Sequence, residues 1–156
     1  MSYIERNLLP DERMLFRTKK HLIIFFFPVV WLVFCFYASQ YMQHDAILQK
    51  LQWAPWLVAV LFLASVGLNY VFSEFAVTNK RVMMREGFFV RHSNELRLTT
   101  ISQVNVDQNL IGQVLNYGTV SINAFGAFDA YPLIDKPNIF QKTVNQQLDQ
   151  LVSSGK

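Results

Sequence analysis

Two long apolar runs occupy much of the first half of the chain. They extend from His21 to Gln43 and from Leu51 to Ser73, and neither contains Asp, Glu, Lys or Arg. A helix needs roughly 20 predominantly apolar residues to cross a bilayer, so each run is long enough. The pattern predicts a transmembrane hairpin over residues 21–73, with helices at about 21–41 and 53–72, behind an N-terminal segment of residues 1–20.

Behind the hairpin, apolar and polar residues alternate over short distances. Val104 and Val106 have polar neighbours on both sides, as do Val120 and Ile122, which is the period of two expected for half-buried strands. Turn-forming residues recur between such runs, and the Asn79 position tolerates the backbone of a tight hairpin turn. The pattern predicts about six or seven short strands after residue 73.

The end of the chain has a helical period instead. Phe140, Val144 and Leu148 recur at four-residue steps, and Pro137 supplies a start signal, so we expect an amphipathic helix at about residues 137–152. Together these elements predict an α+β fold with a membrane anchor. Two transmembrane helices are followed, at residues 74–156, by a small antiparallel β-barrel or sandwich of pleckstrin-homology type, capped by the C-terminal helix.

The first apolar run has an alternative interpretation as a cleaved signal peptide. The run is longer than a typical signal-peptide core, acidic residues precede it, and no small-x-small cleavage pattern surrounds Ala38, so a retained helix is favoured. Basic residues flank the hairpin on both sides, whereas the connecting loop has only Lys50. By the positive-inside rule, both termini are expected on the cytoplasmic side.

Composition and charge narrow the classes of function. The three histidines, His21, His44 and His92, fall in different predicted elements, and the single cysteine, Cys35, lies inside the first apolar run. No catalytic motif is present, so we expect no enzyme, no cofactor and no metal site. The charge-free runs argue against a transporter. From Glu74 onward the chain has eight Lys or Arg against seven Asp or Glu, which argues against nucleic-acid binding.

Several stretches carry a family resemblance. They are residues 77–82 (VTNKRV), 95–98 (ELRL), 109–112 (NLIG) and 115–120 (LNYGTV), with 8–12 (LLPDE) and 20–21 (KH) ahead of the hairpin. In order and spacing they resemble the bacterial pleckstrin-homology family of membrane-anchored proteins. The resemblance implies an integral protein of the bacterial inner membrane that acts in binding or assembly without catalysis. Gln113 stands where family members commonly have an arginine.

Three basic residues, Lys80, Arg81 and Arg85, form the candidate lipid-binding set. They are similar to the basic cluster by which eukaryotic pleckstrin-homology domains hold phosphoinositide headgroups. In a strand, however, Arg81 and Arg85 share one face and could pair with Glu86 and Glu95. We favour this structural interpretation over headgroup binding.

Aromatic residues in or beside the predicted turns form the candidate partner-binding set. Phe125, Phe128 and Tyr131 belong to it, and Phe88 and Phe89 lie in another turn. Exposed aromatics would mark a contact with a protein partner or a second copy, whereas buried ones would complete a small core. The sequence therefore predicts a non-catalytic binding or assembly module at the inner face of the membrane. Binding or sensing of anionic lipid headgroups is the alternative.

Overall fold

The computed structural model describes residues 4, 7–44, 46–88, 92–125 and 127–154. The chain divides into two compact units. The helical unit comprises Leu22–Val71, and the β-sheet unit comprises Met1–His21 together with Phe72–Lys156. The β-sheet unit is therefore built from both sides of the predicted hairpin.

The helical unit contains the two predicted apolar helices. A 3₁₀ turn at Leu22–Phe25 leads into α1 (Phe26–Met42), a short α2 (Ala46–Gln49) follows, and α3 (Trp53–Phe72) completes the hairpin. With their flanking turns, the spans Leu22–Met42 and Ile47–Phe72 are long and apolar enough to cross a membrane by length and composition. We call these the two apolar spans.

The two apolar spans contact each other at a few positions within the unit. The Cys35 Sγ donates to the carbonyl oxygen of Pro55 at 3.2 Å, and the rings of Phe25 and Tyr70 pack edge to face with centroids 5.5 Å apart. Large apolar side chains cover the remaining surface of both helices. Such helices are apolar all round instead of carrying one apolar stripe, which is typical of a membrane span or a deeply buried core helix.

The β-sheet unit has two antiparallel sheets. The first has the strand order β1-β2-β3-β4, formed by Met14–Thr18, Glu74–Thr78, Arg81–Glu86 and His92–Arg97. The second has the order β5-β6-β7, formed by Ile101–Asp107, Tyr117–Ala124 and Ala127–Asp135. Helix α4 (Leu110–Leu115) connects β5 to β6, and α5 (Pro137–Ser154) ends the chain. Six strands thus follow the hairpin, which agrees with the predicted number, but β7 contains Phe128 and Tyr131, which the sequence analysis placed in or beside turns.

The two sheets do not form the closed barrel that was one of the two predicted arrangements. In the described part of the chain, one isolated antiparallel bridge, between Lys20 and Ile134, joins the edge beyond β1 to β7. The sheets otherwise remain separate ladders. The fold is a mixed arrangement of helices and antiparallel sheets, with the C-terminal helix where the sequence predicts it.

Strand β1 comes from the N-terminal segment and is absent from the predicted strands. It pairs with β2, with Arg17 opposite Ala76 and Thr18 opposite Phe75. The two partners are separated in the chain by both apolar spans. The helical hairpin is therefore an insertion between the first and second strands of one sheet.

One hydrophobic core lies between the sheets and α5. Phe75, Val77, Val82 and Met84 from the first sheet are fully or almost fully buried. Val120, Ile122 and Ile134 from the second sheet, and Phe140 and Val144 from α5, complete it. Phe140, Val144 and Leu148 lie on the face of α5 that the periodicity predicts. A smaller cluster of Ile4, Ala76 and Met83 lies apart from this core, so the N-terminal segment also covers part of the first sheet.

Candidate functional site

The turn between β2 and β3 is held by its own side chains and by the N-terminal segment. Thr78 Oγ1 accepts hydrogen bonds from the backbone N–H groups of Lys80 at 3.2 Å and Arg81 at 3.0 Å. Asn79 Oδ1 accepts one from the backbone N–H of Arg13 at 2.9 Å. The turn that carries two of the candidate basic residues is thus rigidly attached to residues ahead of the hairpin.

Arg81 lies in an ion-pair cluster. Its Nε and Nη2 donate to the two carboxylate oxygens of Glu12, each at 3.0 Å, and its Nη1 donates to Glu95 Oε2 at 2.5 Å. Nη2 also donates to the carbonyl oxygen of Asn7 at 2.7 Å. The Glu12 side chain is fully buried. A two-point contact between charged groups is among the stronger hydrogen-bonded arrangements in proteins, so Arg81 is committed to the fold.

The environment of Glu12 keeps it ionised. Burial alone raises the pKa of this carboxyl, but the hydrogen bonds from Arg81, from the Leu9 N–H at 2.8 Å and from the Thr78 hydroxyl at 2.7 Å lower it, as does the charge of Arg81. The lowering contributions outweigh burial, and the pKa lies below its ordinary value. Glu12 and Arg81 are therefore both charged at neutral pH.

The three candidate lipid-binding residues are not gathered at one place. Lys80 is exposed at the β2–β3 turn, where its Nζ donates to the carbonyl oxygen of Pro10 at 3.0 Å. Arg85 lies opposite Glu74 and Ser93, four residues beyond Arg81 along β3, or roughly 13 Å. Of the acidic partners considered in the sequence analysis, Glu95 pairs with Arg81, and Glu86 pairs with Lys20.

An open groove of about 550 Å³ lies beside the β2–β3 turn. Its charged lining consists of Lys80, Arg81, Glu95 and Arg97, and Leu9 and Leu151 supply apolar walls. Because Glu12 and Glu95 hold Arg81, the cationic groups that face the opening and belong to exposed residues are Lys80 and Arg97. The lining of the groove therefore carries mixed charge.

The candidate partner-binding residues divide into surface and core. Phe125, at the β6–β7 turn, is 87% exposed, and Phe128, at the start of β7, is 65% exposed. Tyr131 is buried in the main core, where it packs edge to face with Phe75, and its hydroxyl accepts a hydrogen bond from Asn94 Nδ2 at 3.0 Å. Phe88 is half-buried and packs on Phe72 with ring centroids 4.9 Å apart. Phe89 lies outside the described residues.

Comparison with known families identifies the fold. A family model described as "Bacterial PH domain" matches residues 22–151, which is most of the chain. The chain belongs to the bacterial PH domain family. Neither a curated protein nor a solved structure matches it. PH-like domains generally act as non-catalytic binding modules.

Among the residues that the structure describes, no three His, Cys, Asp or Glu side chains form a group that could hold a metal ion. The features that remain are surface features, namely the groove beside the β2–β3 turn and the aromatic pair Phe125 and Phe128.

Sequence reasoning missed one further surface of this bacterial PH domain, helix α4. Four of its six residues are apolar and exposed: Leu110, Ile111, Val114 and Leu115. The sequence signal was a short apolar stretch between two alternating strands. Six residues are too few to display a helical period, so the sequence alone does not predict a helix here.

Proposed function

We propose that the protein is a non-catalytic module of the bacterial inner membrane, anchored by its two apolar spans, that binds a membrane-associated protein or a second copy of itself. The exposed pair Phe125 and Phe128 carries the proposal. Membership of the bacterial PH domain family supports the general role of a binding module.

Membrane anchorage is supported by the character of the two apolar spans. Leu22–Met42 has no charged residue, and Ile47–Phe72 has one, Lys50, close to its N-terminal end. Both spans expose large apolar side chains on most of their surface, Phe27 and Val60 among them. Exposure of this kind is costly in water and favourable in lipid. The excess of basic residues outside the connecting loop favours a cytoplasmic location for both termini.

Partner binding is supported by where Phe125 and Phe128 lie. They flank the turn of a hairpin whose strands pair from Tyr117 with Asp135 to Ala124 with Ala127. Strand pairing fixes the backbone of Phe128 opposite Asn123, and Phe125 lies in the adjoining turn. Exposed aromatic side chains are typical of interface hot spots.

The experiment is cross-linking of the full-length protein in its native membrane, followed by purification in mild detergent and mass determination. We expect a discrete complex with one other protein, or a defined homo-oligomer. Replacing both side chains, Phe125→Ser with Phe128→Ser, should abolish that complex and leave the thermal unfolding midpoint unchanged, because both residues are exposed.

The matched control is Val152→Ser, which removes an equally exposed apolar side chain from α5. It should leave the complex intact. A complex of unaltered mass and yield in the double Phe variant would contradict the proposed binding site.

Binding of anionic lipid headgroups is the second candidate, favoured by the groove beside Lys80 and Arg97. Lys80 and Arg97 are the residues to vary, because both line the groove and are exposed, whereas loss of Arg81 would leave the buried Glu12 unpaired. The same purification distinguishes the two functions. A monomer that carries anionic lipid, loses it on Lys80→Ala with Arg97→Ala and keeps it on Arg85→Ala, outside the groove, would favour headgroup binding instead of assembly.

A further inference from the structure

Helix α4 reverses the usual arrangement of a surface helix. A surface helix normally turns its apolar side chains toward the core and its polar ones toward water. In α4 the one buried residue is Gly112, whereas Leu110 is 81% and Val114 is 84% exposed. A Cβ atom on Gly112 would lie 2.5 Å from the carbonyl oxygen of Tyr117 and 2.9 Å from Asn109 Oδ1. The helix therefore packs on the domain through Gly112, and its apolar side chains point away from the domain.

The C-terminal end of α4 and nearby hydrogen bonds hold the helix in position on the domain. Asn116 ends the helix in the left-handed conformation with φ 61°, a position that asparagine tolerates. Gln108 Nε2 donates to the Tyr117 carbonyl oxygen at 3.0 Å, and Asn138 Nδ2 donates to Gln108 Oε1 at 3.1 Å. The exposed apolar side chains thus belong to a fixed element on the surface of the domain.

This element lies where the chain leaves the β-sheet unit. Tyr117, two residues after α4, stacks on His21 with ring centroids 5.2 Å apart. The backbone N–H of His21 donates to the carbonyl oxygen of Leu133 at 2.6 Å, so His21 is itself fixed to the domain. The next residue, Leu22, begins the first apolar span. Through Tyr117, the residues that follow α4 thus contact the residue that directly precedes this span in the chain.

Basic residues accompany the same site. Lys19 lies two residues before His21 and is partly exposed, whereas Lys20 is buried and paired with Glu86. The backbone N–H of Lys136, which is an exposed residue, donates to the carbonyl oxygen of Asn116 at 3.0 Å. Exposed apolar side chains with neighbouring lysines are typical of elements that lie in the interfacial layer of an anionic membrane.

We propose that α4 inserts Leu110, Ile111, Val114 and Leu115 into the interfacial layer of the phospholipid bilayer that the two apolar spans cross. The proposal rests on the membrane anchorage proposed above. Because the domain is tethered to its membrane, the local concentration of lipid is high, and a patch of four side chains is enough to dock it. The bilayer is thus a more suitable occupant of this patch than a soluble protein.

Docking through α4 would leave the aromatic pair available for a partner. Strand β6 begins directly after α4, at Tyr117, and ends at Ala124, next to Phe125. Its eight residues span roughly 26 Å. Helix α4 and the aromatic pair Phe125 and Phe128 therefore lie at opposite ends of one strand, so the first can bind the bilayer while the second binds a protein partner.

Depth-dependent fluorescence quenching in lipid vesicles tests the proposal. The full-length protein carries one cysteine, so Cys35→Ala gives a background for single labels at Val114→Cys in α4, Val152→Cys in α5 and Val60→Cys in α3. All three sites are exposed. Each labelled protein is reconstituted into vesicles of phosphatidylethanolamine and phosphatidylglycerol that contain lipids spin-labelled near the headgroup or deep in the acyl chain.

We expect the deep probe to quench the label at position 60. We expect the shallow probe to quench the label at position 114 several-fold more than the label at position 152. Adding Leu110→Ser with Ile111→Ser should remove quenching at 114 and leave quenching at 60 unchanged. Thermal unfolding of each variant checks that the domain remains folded.

The other outcomes separate the two proposals. Quenching at 60 without quenching at 114 would overturn the role of α4 and leave the anchorage intact. Equal quenching at 114 and 152 would mean that the domain adheres without using α4. Absence of quenching at 60 would overturn the anchorage, and the role of α4 with it.

Discussion

The β-sheet unit departs from the usual distribution of polar and apolar groups at two places, in opposite directions. Around Glu12 and Arg81, charged groups are buried. At α4, large apolar groups are exposed. Hydrogen bonds inside the protein compensate the buried charges, whereas the apolar side chains of α4 stay exposed.

The buried charges are satisfied within the fold. The Glu12 carboxylate accepts hydrogen bonds from Arg81, from the Leu9 N–H and from the Thr78 hydroxyl, and the cluster joins the N-terminal segment to β2 and β3. The apolar side chains of α4 stay exposed in the described part of the chain. Substitutions in the first region should therefore change stability, and substitutions in the second should change binding.

The largest effect is expected for Glu12→Ala. This change leaves the largely buried guanidinium of Arg81 without its two-point partner. We expect the free energy of unfolding to fall by roughly 3 kcal/mol, and the loss is not larger because Arg81 still pairs with Glu95. Chemical denaturation of the full-length protein in detergent measures it. The control Glu95→Ala removes the more exposed partner of the same arginine and should cost about 1 kcal/mol or less. Equal losses in both variants would contradict a special role for the buried pair.

A smaller effect is expected for Gly112→Ala. The added methyl group meets backbone and side-chain oxygen atoms at less than 3.0 Å, so α4 must shift, and we expect a loss of about 1–3 kcal/mol by the same measurement. Leu110→Ser in the same helix should change the stability by less than about 0.5 kcal/mol, because its side chain is exposed. If Leu110→Ser were the more damaging of the two, the side chains and not the glycine would attach α4 to the domain.

The pH dependence of stability should also differ between the two regions, and this is the smallest of the expected effects. The pKa of Glu12 in the folded protein lies below its ordinary value, so its contribution to stability is present above the ordinary pKa of about 4.3 and is lost as the pH falls through the folded value. In denaturation measured from neutral pH to about pH 3, the stability difference between wild type and Glu12→Gln should therefore shrink at the acid end. The difference for Leu110→Ser should stay constant, because leucine does not titrate. A constant difference for Glu12→Gln would mean that its carboxylate does not stabilise the fold.

Much of the fold could be predicted from periodicity. The two apolar spans, strands β2, β3, β5 and β6 and helix α5 show a local pattern that survives in the structure, whereas β7 forms where the sequence suggested turns. Strand β1 could not be predicted, because its five residues lie among basic residues and its partner strand begins beyond both apolar spans. The contact between Glu12 and Arg81 was hidden for the same reason, since these residues are 69 positions apart.

The candidate site was predicted in part. Phe125 and Phe128 emerge on the surface because they lie at a hairpin turn, whereas Tyr131 lies three residues further on and faces the core. Alternation within β7 could have indicated its burial, since Ala130 and Pro132 on either side are exposed. The role of Arg81 depends on the carboxylate of Glu12, which is distant in the sequence, and a local sequence pattern cannot indicate such a partner.

Because the hairpin interrupts the domain between β1 and β2, the first sheet can close only after both apolar spans have been synthesised. In an inserted chain, β1 and β2 meet only if the two ends of the hairpin emerge on the same side of the bilayer. A hairpin that crossed the membrane once would leave the two strands in different compartments, with Glu12 and Arg81 unable to pair. In the proposed membrane-anchored arrangement, formation of this sheet therefore requires that both apolar spans have crossed the bilayer.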